Sequence, residues 1–182
     1  MIGKSGNKHL FLTGYMGSGK SSVGLLLSKQ LSKHFIDLDA RIEESEKMSV
    51  AKIFKEKGEK YFRNKESCIL REIIRNPNLT VIALGGGTIS DSSNLKASLD
   101  NGLLIYLEAS ASTIVKRIKK ETVERPLLAQ FKTDTDLLNF IETHLNSRLV
   151  NYRKADFTID TNEKKRDQII AEISAIINLN KS

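Results

Sequence analysis

Residues 14–21 read Gly-Tyr-Met-Gly-Ser-Gly-Lys-Ser, a full match to G-x-x-x-x-G-K-[ST]. An apolar run, His9-Leu10-Phe11-Leu12, precedes the motif, and a helical pattern carrying Val23, Leu25, Leu26, Leu27 and Leu31 follows it. Strand, glycine loop and helix in that order form a phosphate-binding P-loop. Few folds can place such a loop at the end of a strand and the start of a helix. The glycines let backbone N–H groups turn inward around phosphate oxygens, and the helix N-terminus adds partial positive charge. Gly17, Ser18, Gly19, Lys20, Ser21 and Ser22 are therefore the expected phosphate cradle. Lys20 is placed to reach the outer phosphates, and the Ser21 hydroxyl to ligate Mg²⁺. The plainer reading, a glycine-rich turn that happens to carry a lysine, does not account for the flanks.

The chain of 182 residues is the length of one domain with a substantial core. Its one cysteine, Cys68, can make no internal disulfide and no metal site alone. The neighbours Ile69, Leu70, Ile73 and Ile74 put Cys68 at an expected helix core position. No apolar run is long enough to span a membrane, and no signal-peptide pattern is visible, so a cytoplasmic, monomeric enzyme is expected. The net charge of +7 fits either a nucleic-acid footprint or small anionic ligands. The lysines are scattered (Lys29, Lys33, Lys47, Lys52, Lys55, Lys57, Lys60), which points to a solvated surface and no nucleic-acid partner.

Past the P-loop, strand and helix alternate. Residues 35–39 (Phe-Ile-Asp-Leu-Asp) read as a short strand, and helices are expected over about 40–47, 50–57 and 59–75, broken near Ser49 and Gly58. Residues 80–84 (Thr-Val-Ile-Ala-Leu) form the continuous apolar run of a strand buried on both faces. A short helix over 92–99, a strand over 103–107, a helix capped by Ser110 and running to Lys120, a helix over 136–152, a strand over 157–160 and a last helix over 164–179 complete the pattern. Residues 122–135 read as a polar loop, and residues 1–8 as a loosely ordered tail. Five strands with helices between them argue for a single three-layer α/β/α domain around a parallel sheet.

Open α/β sheets bind ligands at the carboxyl ends of their strands, and three features fall there. Asp37-x-Asp39 is the first: one carboxylate could hold Mg²⁺, and the other could orient or deprotonate a substrate hydroxyl. An Asx turn opening a helix is the plainer alternative. The second is Gly85-Gly86-Gly87, which reads either as a close backbone approach to a ligand or as a sharp turn. No strand ends in the usual metal-binding aspartate; Glu108 is the nearest candidate, and Asp37 competes with it. The third is a set of arginines, Arg63, Arg125, Arg148 and Arg153, in otherwise lysine-rich surroundings. Arginine is preferred where a planar carboxylate or phosphate is gripped through two parallel hydrogen bonds.

In ordered combination these segments resemble the shikimate kinase family, from about His9 to Leu179. The resemblance is carried by residues 14–21, Asp37-Leu-Asp39, Gly58-Glu-Lys-Tyr-Phe-Arg63, Leu84-Gly-Gly-Gly87, Arg125-Pro-Leu-Leu128, and the stretch from Arg148 to Asp156 before Thr158-Ile-Asp-Thr161. It implies a fold of the nucleoside-monophosphate-kinase type with sheet order 2-3-1-4-5. It implies acceptor-binding helices over about 40–75 and a lid over about 121–135. The implied reaction is transfer of the γ-phosphate of ATP to the 3-hydroxyl of shikimate, with Mg²⁺.

Position by position, the resemblance assigns phosphate binding to the P-loop and Lys20, and metal binding to Ser21 and Asp37. It gives the shikimate hydroxyls, and the role of base, to Asp39. Arg63 and Arg148 take the shikimate carboxylate beside Gly85, Gly86 and Gly87. Arg125 comes from the lid to the transferring phosphate, and Arg117 packs on adenine, which the 160–165 loop borders. Where the family run is R-x-P-L-Y, this chain reads Arg148-Leu-Val-Asn-Tyr152, so Arg148 and Arg153 both stay open as the second carboxylate arginine. Two rival readings are a gluconate-kinase-like small-molecule kinase and a non-catalytic P-loop regulator. The set of Asp37, Asp39, Arg63 and the glycines favours the shikimate reading over the first. The scattered basic charge disfavours the second.

Overall fold

The computed structural model of the chain describes residues 9–120, 131 and 133–180. The expected tail over 1–8, most of the expected lid and Arg125 lie outside the described residues. In chain order the elements are β1 His9–Thr13, α1 Lys20–Gln30, β2 His34–Asp37, α2 Leu38–Glu46, α3 Val50–Ile74, β3 Thr80–Ala83, α4 Ser92–Asn101, β4 Gly102–Glu108, α5 Ala111–Lys120, α6 Asp134–Tyr152, β5 Phe157–Asp160 and α7 Arg166–Leu179. All four strand pairings are parallel, and the sheet order is β2-β3-β1-β4-β5, the order that the family resemblance implies.

The strands alternate between two apolar layers because side chains point to opposite faces with a period of two. Leu10 and Leu12 of β1, Val81 of β3 and Ile105 and Leu107 of β4 pack with Val23 and Leu27 of α1 and Ile169, Ile173 and Ile177 of α7. Phe11, Ile82, Leu104 and Tyr106 face the other way, into the layer built by α2 to α6. That is why the central strands β1, β3 and β4 read as largely apolar runs covered on both sides, while β2 and β5 at the sheet edges are more exposed. Among the described residues no helix is long and apolar enough to cross a membrane.

Three local expectations are corrected. The second strand stops at Asp37, because the Asp37 carboxylate accepts hydrogen bonds from the amides of Asp39 (3.1 Å) and Ala40 (3.3 Å) and so caps α2. Leu38 and Asp39 therefore sit in the first turn of a helix, and strand alternation does not govern the two carboxylates. The expected breaks near Ser49 and Gly58 are both present: Ser49 caps α3, and Gly58, at φ 81° and ψ 167°, kinks it. Cys68 is exposed, not in the core. The inward face of α3 is taken by Phe62, Glu66, Ile69, Leu70 and Ile73, a helical spacing that leaves Cys68 outside. The helix after the polar loop begins two residues earlier than expected, at Asp134, because the Thr133 hydroxyl accepts from the Asp136 amide.

Candidate active site

The loop after β1 ends at Gly19, whose left-handed φ of 100° turns the chain into α1. Gly14 has φ 143°, and a Cβ there would stand 2.6 Å from the Leu107 carbonyl oxygen, so the loop lies directly against β4. Lys20 is the first residue of α1, and its ammonium donates to the carbonyls of Gly14 (2.9 Å) and Tyr15 (3.0 Å). Ser21 and Ser22 follow on the exposed side of the first turn. The Ser18 hydroxyl is buried without a hydrogen-bond partner and packs under the loop, 2.9 Å from where a Gly14 Cβ would stand.

The Ser21 hydroxyl donates to Asp37 Oδ2 at 2.5 Å. Asp37 thus uses one oxygen to cap α2 and turns the other toward the P-loop serine. A hydroxyl and a carboxylate side by side suit a hard cation such as Mg²⁺, which takes few protein ligands and keeps its remaining sites for phosphate and water. Among the described residues no group of three or more His, Cys, Asp or Glu is arranged to cage a metal. Glu108, the competing carboxylate, ends β4 beside Asp160, while Asp37 adjoins the P-loop.

The strand β3 ends next to β1, where the Leu84 amide donates to the Leu12 carbonyl, and the three glycines follow. A Cβ on Gly85 would meet Glu66 Oε1 at 2.7 Å, Asp39 Oδ1 at 2.8 Å and Thr88 Oγ1 at 3.0 Å. Glycine is required there because two carboxylates and a hydroxyl crowd the backbone. A Cβ on Gly87 would stand 2.8 Å from Arg63 Nη2, and one on Gly86 would stand 3.4 Å from Arg148 Nη1. The two arginines reach this loop from different helices, α3 and α6. Arg153 lies at the exposed end of α6.

Glu66 is 1% exposed and uses both oxygens. It accepts from Arg63 Nη1 at 2.9 Å and from the Thr88 hydroxyl at 2.7 Å. Burial raises the Asp39 pKa from 3.8 to about 6, and the nearby Asp37 and Glu66 carboxylates push the same way, against Lys20 and Arg63. A carboxylate poised near neutrality, beside a phosphate-binding loop and two guanidinium groups, can take a proton from a hydroxyl. On the far side of the P-loop, Arg117 donates to the carbonyls of Gly17 and Ser18 (3.3 Å each), to the Thr161 hydroxyl (3.1 Å) and to the Thr161 carbonyl (2.5 Å). It ties the phosphate loop to the segment after β5.

The comparison that decides the family is a family model described as Shikimate kinase, which matches residues 16–178. The chain belongs to the shikimate kinase family. A shikimate kinase of Flavobacterium psychrophilum is 39% identical over 171 residues, which cover 93% of this chain and 99% of that protein. The structure of the shikimate kinase from Bacteroides thetaiotaomicron superposes with a TM-score of 0.88 at 30% identity, covering 94% of this chain and 98% of the other. That of the Acinetobacter baumannii shikimate kinase in complex with shikimate gives a TM-score of 0.87 at 30% identity, with 96% and 94% covered. This family membership answers the choice between the shikimate and gluconate readings.

The structure brings Lys20, Ser21, Asp37, Asp39, Arg63, Arg148 and the three glycines to one end of the sheet. Sequence reading missed Glu66, Tyr15 and Tyr152 as neighbours of that site. The signals were present in the spacing: Arg63-x-x-Glu66 and Arg148-x-x-x-Tyr152 are i,i+3 and i,i+4 pairs, which share a helix face.

Proposed function

We propose that this chain catalyses transfer of the γ-phosphate of ATP to the 3-hydroxyl of shikimate, giving shikimate 3-phosphate for aromatic amino acid synthesis. The observation that carries the reading is the convergence of Asp39, Arg63 and Arg148 on the Gly85–Gly87 backbone, with Lys20 of the P-loop behind them. Shikimate presents a planar carboxylate at one end of a ring and hydroxyls at the other. Arg63 and Arg148 grip the carboxylate, with the Gly86 and Gly87 backbone as the wall between them. Asp39 orients the reacting hydroxyl and takes its proton as the oxygen attacks the γ-phosphorus. The bond to the β-phosphate oxygen breaks, and ADP leaves.

Lys20 and the amides of Gly17, Ser18, Gly19, Ser21 and Ser22 hold the phosphates. Ser21 and Asp37 would hold Mg²⁺, which neutralises charge between the β- and γ-phosphates when bound. Arg117 borders the adenine. Arg125, outside the described residues, meets the transferring phosphate, as the family resemblance implies. The reading carries with it a monomer working in the cytoplasm on small molecules alone.

The test is a coupled ATPase assay with shikimate, with gluconate and with no acceptor. Turnover that requires Mg²⁺ and rises sharply with shikimate alone is expected. Equal rates with shikimate and gluconate, or none with either, would sink the assignment.

Two substitutions separate the parts of the site. Arg63→Lys keeps the charge and loses the planar fork, so the Michaelis constant for shikimate should rise far more than that for ATP. The loss is about 1.5–3 kcal/mol, the range for a hydrogen bond to a charged group. A defect confined to ATP binding would move Arg63 out of the acceptor pocket. Asp37→Asn retains a good helix cap for α2 and weakens the metal shell. Its lowered rate should recover in part with excess Mg²⁺, and a metal titration with no such recovery would remove Asp37 from the cation site.

A further inference from the structure

On the acceptor pocket proposed above, we propose that Tyr152 is a positioning residue: its hydroxyl holds the Gly86 carbonyl and so fixes the glycine wall against Arg148.

Tyr152 closes α6 and is 1% exposed. Its ring stacks on Tyr106 of β4, with centroids 4.9 Å apart and planes at 19°. That stack fixes where the hydroxyl can go. The hydroxyl donates to the Gly86 carbonyl at 2.5 Å. Arg148, one helical turn back on α6, reaches the same glycine, with Nη1 3.4 Å from where a Gly86 Cβ would stand. Burial pushes the Tyr152 pKa up to about 12, and the phenol stays a neutral donor across any assay range. The Tyr15 ring also lies against Arg148, with its centroid 5.8 Å from the guanidinium carbon. The Tyr15 hydroxyl pairs with His144 Nδ1 at 2.9 Å. Arg148 therefore lies against an aromatic ring that His144 holds in place.

The physical need is specific. Arg148 comes from α6 and Gly86 from the turn after β3, elements far apart in sequence. A bidentate grip on a carboxylate tolerates errors of only about 0.5 Å and 10–20°. A free arginine side chain samples many rotamers, freedom that binding would otherwise have to remove. A hydroxyl on the helix that carries Arg148, donating to the loop carbonyl beside that arginine, sets the spacing of the two halves of the pocket wall. Tyr152 acts through the Gly86 backbone and the arginine beside it.

Tyr152→Phe deletes that oxygen and keeps the stacked ring. The expected result is a Michaelis constant for shikimate raised about tenfold, with kcat within about threefold of the parent and the constant for ATP unchanged. A purely structural tyrosine would change stability without that split, and an unchanged Michaelis constant for shikimate would overturn the proposal. The same substitution placed in an Arg148→Lys background should raise the constant by less than about twofold, because the fork it orients is already gone. A full tenfold rise in that background would show that Tyr152 works independently of Arg148, and would overturn it too. Failure of the parent enzyme to phosphorylate shikimate at all would instead overturn the assigned reaction, a distinguishable outcome.

Discussion

Asp39→Asn is expected to lower turnover by ~10²–10⁴-fold, the usual contribution of a positioned general base, while ATP binding survives. The amide keeps the shape of the carboxylate, loses its charge and gives up half of its acceptor capacity. The pH profile gives a sharper criterion. With Asp39 titrating at about 6, the parent rate should fall as pH drops through that value, because the base becomes its neutral acid. In the asparagine variant that limb should vanish from the residual rate.

Stability should move in the opposite sense to activity. The folded pocket raises the Asp39 pKa, so it favours the protonated acid. The stability this group contributes is present below pH 3.8 and is lost as pH rises through about 6. At pH 8 the charged form is a cost, and removing it with asparagine should stabilise the fold by up to about 3 kcal/mol, since each tenfold change in proton affinity corresponds to about 1.4 kcal/mol. At pH 3.5 the melting temperatures of parent and variant should agree. A variant with near-parental turnover, or one less stable at pH 8 than its parent, would remove Asp39 from the role of a buried base.

Lys20→Ala is the second large effect. Loss of one preorganised donor to a developing charge costs about 10²–10³-fold in rate, and Lys20 carries a full charge. Transfer should fall at least that far while the fold persists. The side chain is half-buried at the start of α1, makes two hydrogen bonds to loop carbonyls and belongs to neither apolar layer. Alanine is an excellent helix former at that position. The lysine also opposes the rise in the Asp39 pKa, so its removal acts on the base as well as on the phosphates. Circular dichroism that matches the parent, with transfer abolished, is the expected pair of measurements. A parental kcat would show that the loop binds no reacting phosphate.

The glycine loop and the order of strands and helices were readable from sequence, because each rests on local rules. A P-loop needs glycines at fixed offsets. A parallel strand covered on both faces must be apolar throughout. A kink at Gly58 needs only a residue that tolerates φ 81°. What sequence alone could not settle depended on partners distant in the chain. The phase of α3 was hidden because its inward slot beside Ile69, Leu70 and Ile73 holds Glu66, a charged residue, while the cysteine two positions on points outward. Only Arg63 and Thr88, one helix turn and 22 residues away, make burial of that carboxylate tolerable. Asp39 was legible as a candidate carboxylate, but its poise near neutrality comes from burial against Gly85 and from Asp37 and Glu66. The run at Arg148 left two arginines open. Tertiary packing puts one of them beside Gly86 and the Tyr15 ring, and leaves Arg153 exposed. Local sequence chose the elements, and long-range packing set the distances and the electric field between their ends.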